Sequence, residues 1–333
     1  MNDSRSQPRT AVLELGSNSL KALVLAGTGA GTRVLADESV ECRITRGFYC
    51  EDPPRFTEPA MEEAIAALQR LHASVQRFQP HRVETVATSA FRDAANRTAF
   101  QDRIERATGQ RPVILEGEEE ARAIARGLEE EPDWEPGRPF TLSDLGGGSL
   151  EQVEGDGHRI VRVVSFDLGA VRLLERFHTQ PEEAMPPQVR AGIRDYCREI
   201  FRSGFPEPHP HPHPHPTILH WGTGGAFTVL RLLLATEEGC GLLERSPVLT
   251  AGDIRTWSER LAGLSLAERA RIPGLPEARA DILPVALLIL EALSEATRTE
   301  RYHHSLCNLR FGRAAALLDG IGSARTAARP ENS

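Results

Sequence analysis

Short apolar and alternating runs open the chain, and the same arrangement returns near its middle. Period-two alternation bounded by glycine, serine and asparagine is typical of strands joined by tight turns. The strands predicted in this way cover residues 11–15, 20–26 and 34–40, and then residues 140–145, 150–154 and 159–165. An internal repeat of this kind indicates two related domains.

Helical spacing alternates with further short strands between and after these repeats. Apolar residues such as Met61, Leu68 and Val75 recur near helical spacing behind Thr57, a suitable N-cap. Other helices are predicted at residues 94–107, from 117 onward, 227–235, 252–262, 276–297 and 306–318, with strands at 83–87, 112–115 and 217–221. This order predicts an α/β fold with extra C-terminal helices. We expect one domain at 1–117, completed by a helix at 306–320, and a second at 118–305.

The first turn of each repeat carries the same signature. Residues 14–20 read Glu-Leu-Gly-Ser-Asn-Ser-Leu, and residues 144–150 read Asp-Leu-Gly-Gly-Gly-Ser-Leu. Glycines let backbone N–H groups surround an anion closely, and carboxylates such as Asp144 and Glu151 suit a hard divalent cation. A glycine-rich hairpin with acids present by chance is the alternative. Because the signature occurs twice, we expect a ligand in a cleft between the domains, where the two turns meet.

Charge and composition narrow the classes of function. A formal net charge of −8 disfavours broad nucleic-acid binding, which needs a basic face. Lys21 is the only lysine, and although arginine suits phosphate oxygens, a coding bias would give the same composition.

The polar start, the lack of a long apolar run and five scattered cysteines favour a cytoplasmic protein without membrane contact, disulfides or a zinc site. The alternating His-Pro tract at residues 207–216 favours an extended spacer over a metal site.

Six blocks, in order over nearly the whole chain, resemble the exopolyphosphatase and guanosine pentaphosphate phosphohydrolase (Ppx/GppA) family. These blocks are residues 16–19, 87–93 with Asn96, 117–122, 144–151, 168–173 and 222–225. The resemblance implies duplicated actin-like ATPase (ribonuclease H-like) domains with an interdomain cleft. It also implies hydrolysis of terminal phosphoanhydride bonds of inorganic polyphosphate or pppGpp, with Mg²⁺ as the cofactor, and it allows a homodimer.

The resemblance assigns roles to particular residues. Glu120 would be the base or would position the attacking water, although an acid there could also simply stabilise the positive end of a helix. Metal would be held by Asp144, Glu151 and Glu14, and phosphate by Ser17, Asn18, Ser19, Arg92, Gly146, Gly147, Gly148 and Ser149. An exposed position at a helix start is the alternative for Arg92. Ser149 is not expected to act as a nucleophile, because no histidine base accompanies it.

Three positions depart from the family pattern: Glu14 replaces the usual Asp, Ala226 replaces Thr, and Val285 replaces Gly. One extra methylene moves a carboxylate by roughly 1.5 Å, and catalysis can respond to displacements of about 1 Å. We therefore expect an exopolyphosphatase acting on inorganic polyphosphate, with guanosine polyphosphate as the competing substrate. A regulator that binds these ligands without hydrolysis is the alternative from another class. The residues at 117–122 disfavour a kinase.

Overall fold

The computed structural model describes residues 7–27, 31–50, 52–178, 180–205 and 218–327. In chain order the elements are β1 (Arg9–Leu15), β2 (Ser19–Ala26), β3 (Arg33–Glu41), α1 (Glu58–Gln76), β4 (Arg82–Ala87), α2 (Ser89–Asp93), α3 (Arg97–Thr108), β5 (Val113–Ile114), α4 (Gly117–Leu128), β6 (Phe140–Leu145), β7 (Leu150–Gly155), β8 (Ile160–Phe166), α5 (Ala170–Phe177), α6 (Pro187–Gly204), β9 (Leu219–Thr223), α7 (Gly225–Glu238), β10 (Val248–Thr250), α8 (Ala251–Ala262), α9 (Leu266–Arg269), α10 (Leu283–Thr297), β11 (Arg301–His304) and α11 (Leu309–Ala327). The His-Pro tract lies outside the described residues.

The chain folds into two compact units. The first comprises residues up to Pro132 together with those from Cys307 onward, and the second comprises Asp133–Leu306. Helix α4, expected in the second domain from the sequence, packs in the first unit against α11. A Cβ added to Gly127 would lie 2.2 Å from Asn308 O, and one added to Gly312 would lie 1.9 Å from Ala123 O. Glycine at both positions therefore lets the two helices meet backbone to backbone.

A five-stranded sheet in the order β3-β2-β1-β4-β5 forms the first unit. Strands β1 to β3 are antiparallel, as the turn-bounded runs predicted, whereas β4 and β5 join β1 in parallel. The hydroxyl of Thr57 accepts from Ala60 N at 3.4 Å and caps α1. The buried face of α1 then packs on the sheet beside stacked Phe91 and Phe100. Each fully buried Leu, Met or Phe side chain contributes roughly 1.5–3 kcal/mol.

The second unit repeats this sheet with one added strand. Its order is β10-β11-β9-β6-β7-β8, in which β8-β7-β6-β9-β11 corresponds to β3-β2-β1-β4-β5 of the first unit. The antiparallel and parallel pairings also correspond. This topology confirms the predicted α/β class and its duplication.

Two details differ from the expected elements. After the helix at residues 227–235 the sequence predicts only helices, but the structure also has strands β10 and β11 there. Both are short, and β11 reads Arg-Tyr-His-His, so only pairing with β9 and β10 makes it a strand. The helix expected from residue 276 begins at Leu283, after a 3₁₀ turn at Glu277–Arg279. In the part of the chain that the structure describes, no helix is both long and apolar enough to span a bilayer.

Candidate active site

The β1–β2 turn of the first unit is held from several sides. Gly16 N donates to Ser19 O at 3.2 Å, and the side chains of Ser17, Asn18 and Ser19 are all buried. Asn18 Nδ2 donates to Glu41 Oε2 at 2.8 Å, while its Oδ1 accepts from Arg43 Nε at 2.9 Å. The Asn18 amide is therefore committed to protein contacts. It also fixes Arg43 at the turn, which the sequence motifs did not identify.

Glu14, at the end of β1, lies among cations. It pairs in register with Lys21 on β2, and its Oε1 is 4.0 Å from Lys21 Nζ. Its Oε2 is 3.4 Å from Nε of Arg310, which is buried and also pairs with Asp37. Arg310 comes from α11, far along the chain. It lies outside the six blocks that carry the family resemblance.

The three acids that open α4 have different environments. Glu118 is exposed and pairs with Arg122 at 2.6 Å. Glu119 accepts from Glu116 N at 2.9 Å and so caps the helix. Glu120 alone is buried, at 7% exposure. Stabilisation of a helix start therefore accounts for the first two acids and does not account for burying the third.

A direct contact joins Glu120 to Arg92. Arg92 Nη1 donates to Glu120 Oε2 at 2.6 Å and to Leu115 O at 2.7 Å. The second bond anchors the guanidinium to the backbone just before α4. This bond therefore helps to hold Arg92 in the position from which it contacts Glu120. Arg92 is thus not an exposed helix-start residue. A carboxylate held in this way, in the first turn of a helix whose dipole favours negative charge, is oriented for accepting a proton or a hydrogen bond.

The β6–β7 turn of the second unit turns its carbonyls toward the protein. Gly146 N donates to Ser149 O at 3.0 Å, and Gly147 O accepts from Val171 N at 2.9 Å. Gly148 O accepts from Arg172 Nε at 2.7 Å. The turn thereby satisfies orphan N–H groups at the start of α5. Among the residues that the structure describes, the amides of Gly147 and Gly148 donate to no protein acceptor, which suits the predicted anion site.

Two acids face each other across the same hairpin. Asp144 and Glu151 are direct partners in the β6–β7 register, and Ser165 Oγ donates to Glu151 Oε1 at 2.8 Å. Like charges opposite each other are destabilising unless a cation compensates them. Within the described ranges, no group of three or more His, Cys, Asp or Glu side chains is arranged to hold a metal ion. A pair of carboxylates nevertheless fits Mg²⁺, which usually takes one or two carboxylates together with water and phosphate oxygens.

The loop after β9 lies against Asp144 of this pair. Gly224 has φ +96°, and a Cβ there would lie 2.5 Å from Asp144 Oδ1. At Gly225 a Cβ would lie 2.8 Å from Arg279 Nη1, so this arginine borders the loop. The family's usual hydroxyl is absent at Ala226, which is buried in the second core with Val285. Val285 therefore fills a helix-packing position.

Comparison with known proteins agrees with this arrangement. The model of the Ppx/GppA phosphatase family matches residues 24–319. Exopolyphosphatase 2 of Mycobacterium tuberculosis is 31% identical over 303 residues, covering 87% of this chain and 91% of that relative.

Solved structures share the fold. An exopolyphosphatase from Cytophaga hutchinsonii gives a TM-score of 0.82 at 24% identity and covers 94% of this chain and 98% of its own. The Aquifex aeolicus member of the Ppx/GppA family gives 0.74 at 22% identity, with 96% and 99% coverage. With the family model and the mycobacterial relative, these matches show that the chain belongs to the Ppx/GppA phosphatase family.

Proposed function

We propose that this protein is a Mg²⁺-dependent exopolyphosphatase that hydrolyses the terminal phosphoanhydride bond of inorganic polyphosphate and releases orthophosphate. The observation that carries the proposal is Glu120, a buried carboxylate held by Arg92 in the first turn of α4. The similarity to the mycobacterial exopolyphosphatase supports the choice of substrate.

Glu120 acts on the attacking water. The water oxygen forms a bond to the terminal phosphorus, the bond from that phosphorus to the bridging oxygen breaks, and a water proton passes to the Glu120 carboxylate. General-base assistance of this kind contributes typically about 10²–10⁴-fold. Arg92 orients the carboxylate through Oε2. Phosphoryl transfer otherwise depends mainly on positioning and charge stabilisation.

The second unit supplies the acids for a cation. Asp144 and Glu151 would hold Mg²⁺, which neutralises charge on phosphate oxygens when bound. Glu14 has a different role in this proposal, because Lys21 and Arg310 already surround it. It acts as their counter-ion, and its side chain keeps the cations of the first hairpin in place.

The turn in each unit offers donors suited to phosphate oxygens. In the second unit these are the amides of Gly147 and Gly148 and the hydroxyl of Ser149, and in the first unit they are the hydroxyls of Ser17 and Ser19. Asn18 contributes indirectly by positioning Arg43, whose guanidinium fits phosphate geometry.

The direct test is phosphate release from long-chain polyphosphate with Mg²⁺, comparing wild type, Glu120→Gln and Glu118→Gln. Glu120→Gln should lose about 10²–10⁴-fold in kcat, whereas Glu118→Gln, its exposed neighbour in the same turn, should stay within twofold to threefold, roughly the effect of a surface ion pair. Full activity of Glu120→Gln would remove Glu120 from the mechanism. No phosphate release by wild type would reject the proposed function.

The same assay ranks the alternatives. pppGpp is the competing substrate, and greater release from it at equal phosphate concentration would reassign the specificity within the family. Calorimetric binding of polyphosphate without any release would favour a regulator. A cytoplasmic location belongs to the same proposal. The four cysteines whose side chains the structure describes (Cys42, Cys197, Cys240 and Cys307) form no disulfide, which is typical of a reducing compartment.

A further inference from the structure

A row of buried polar groups lies behind the loop that ends β9. His304 Nε2 is 3.1 Å from Thr228 Oγ1, and Thr228 Oγ1 donates to Gly224 O at 3.0 Å. At the other end, Arg231 Nη1 lies 3.5 Å from His304 Nδ1. Both His304 and Arg231 are buried. The hydrogen-bonded residues Arg231, His304, Thr228 and Gly224 are called the β9-loop relay below.

The direction of every hydrogen bond in the relay follows from its first member. A guanidinium only donates, so His304 Nδ1 accepts and the proton of the neutral ring is on Nε2. Nε2–H then donates to Thr228 Oγ1, whose own proton goes to Gly224 O. Protonating Nδ1 would direct an N–H at Arg231. In agreement, burial and then the charge of Arg231 lower the pKa of His304 from 6.5 to about 3.

The end of the relay is a backbone position with little freedom. Gly224 has φ +96°, and a Cβ there would lie 2.5 Å from Asp144 Oδ1 and 2.6 Å from Leu145 O. Its carbonyl accepts from Thr228 N at 3.2 Å as well as from the hydroxyl. A small movement of this carbonyl would move Gly224 relative to the Asp144 carboxylate.

The histidine of the relay is also fixed to this sheet. His304 on β11 pairs in parallel register with Gly222 on β9, and Ser305 N donates to Gly222 O at 2.9 Å. Arg231 also donates to Arg245 O. The histidine therefore has a fixed backbone on one side and a fixed guanidinium on the other, as a positioning residue requires.

We propose that His304 and Thr228 are positioning residues that hold Gly224 against Asp144 and thereby set the affinity of the Asp144–Glu151 pair for a divalent cation. Threonine hydroxyls often donate to the carbonyl four residues earlier in a helix, so that bond alone is ordinary. What distinguishes Thr228 is that a buried neutral histidine fixes its hydroxyl. The cation site itself rests on the proposed function.

The chain contains a matched control for this hydroxyl. Thr236, two turns along the same helix, donates to Leu232 O at 2.8 Å, and no histidine in the described structure bonds to it. Thr228→Val and Thr236→Val therefore each remove one hydroxyl bonded to the carbonyl four residues earlier, and only the first breaks the relay. Thr228→Ser keeps the hydroxyl.

The experiment measures Mn²⁺ binding by electron paramagnetic resonance, and the Mg²⁺ concentration for half-maximal phosphate release from polyphosphate. Outer partners of metal ligands typically contribute about 10–100-fold in metal affinity, so Thr228→Val should weaken Mn²⁺ binding and raise the Mg²⁺ requirement by about tenfold. KM for polyphosphate at saturating Mg²⁺ should change less than about twofold. Thr228→Ser and Thr236→Val should behave as wild type, and His304→Gln, whose amide can donate to Thr228, should lie between.

Wild-type metal affinity in Thr228→Val would overturn the proposal, as would an equal loss in Thr236→Val. A wild type that binds Mn²⁺ but releases no phosphate would reject the proposed function alone, because the Mn²⁺ comparison still tests the relay. A wild type without saturable Mn²⁺ binding would reject both the cation site and the relay's role in it.

Discussion

The β1–β2 turn and the β6–β7 turn share a backbone hydrogen bond but pair different residues at the base of the hairpin. Gly16 N donates to Ser19 O at 3.2 Å in the first turn, and Gly146 N donates to Ser149 O at 3.0 Å in the second. A Cβ would meet the serine carbonyl at 3.0 Å at Gly16 and at 3.4 Å at Gly146. The repeated glycine and serine therefore specify one hairpin geometry, which the duplication kept.

The residues at the base of each hairpin differ. In the first turn Glu14 faces Lys21 across the strands and is also close to Arg310. In the second turn the corresponding pair is Asp144 and Glu151, two acids. The first hairpin places its acid beside two cations, whereas the second places two carboxylates in register, and a pair of carboxylates suits a hard divalent cation. The sequence repeat thus predicts the shared hairpin backbone, whereas the ligand chemistry of each hairpin depends on which residues are paired at its base.

Neutralising one acid of the second hairpin should have the largest effect. Glu151→Gln leaves Asp144 as the single carboxylate and replaces a charged cation ligand by a neutral one. Metal affinity should fall by at least about 100-fold, since even outer partners of ligands cost 10–100-fold. Titrating Mg²⁺ in the phosphate-release assay measures the shift. An unchanged Mg²⁺ requirement would mean that the two hairpins do not differ in the way proposed.

The loops that follow β4 and β9 differ as well, and Gly224→Ala tests that difference. Thr88 occupies the helix N-cap position in the first unit with φ −121°, whereas Gly224 occupies it in the second with φ +96°. Positive φ alone costs a non-glycine residue about 1–3 kcal/mol, and overlap with Asp144 adds to it. We expect a loss of about 3 kcal/mol in the free energy of unfolding by denaturant titration.

Gly239→Ala is the control for Gly224→Ala. Gly239 has φ +71° with nothing within 4 Å of an added Cβ, so it carries the backbone strain without the crowding. Gly239→Ala should therefore lower the free energy of unfolding by about 1 kcal/mol. Equal losses at the two positions would show that the contact with Asp144 is not tight.

Much of this comparison could be predicted from the sequence, because its signals are local. Alternating runs predicted both hairpins, and the run of acids placed Glu120 at a helix start. Arg310, Arg43 and His304 could not be placed, because their roles arise from contacts between segments distant in sequence. Strand β11 shows why: its polar sequence has no strand pattern, and pairing with β9 brings His304 to Thr228. The ionic environment of Glu14 depends likewise on α11.

Glu14→Gln should have a smaller effect than the change at Glu151, and of a different kind. Removing one partner of a buried ion pair can cost 3–5 kcal/mol, but Arg310 keeps Asp37, so we expect about 1–2 kcal/mol in the free energy of unfolding. The Mg²⁺ requirement should stay within about twofold of wild type, since Glu14 is here a counter-ion. A shift as large as that of Glu151→Gln would instead make Glu14 a metal ligand, as the family resemblance implied.

The smallest expected effect is a pH dependence of stability in the second unit. The pKa of His304 in the second unit is lowered to about 3 from 6.5, so between these values the unfolded chain binds a proton that the folded protein does not. Stability contributed by the neutral ring is present above pH 6.5 and falls as pH decreases toward 3, by at most about 1.4 kcal/mol per pH unit. Hydrogen exchange between pH 7 and 5.5 should show amides of β9 and β11 losing protection, and His304→Gln should remove that part of the loss.

The comparison of wild type with His304→Gln also controls for the other buried histidine. The pKa of His178 is likewise lowered by burial and by Arg269, and its contribution is the same in both proteins and cancels. Identical pH slopes for wild type and His304→Gln would show that the ring is not held neutral, and the hydrogen-bond directions inferred for the relay would then be wrong.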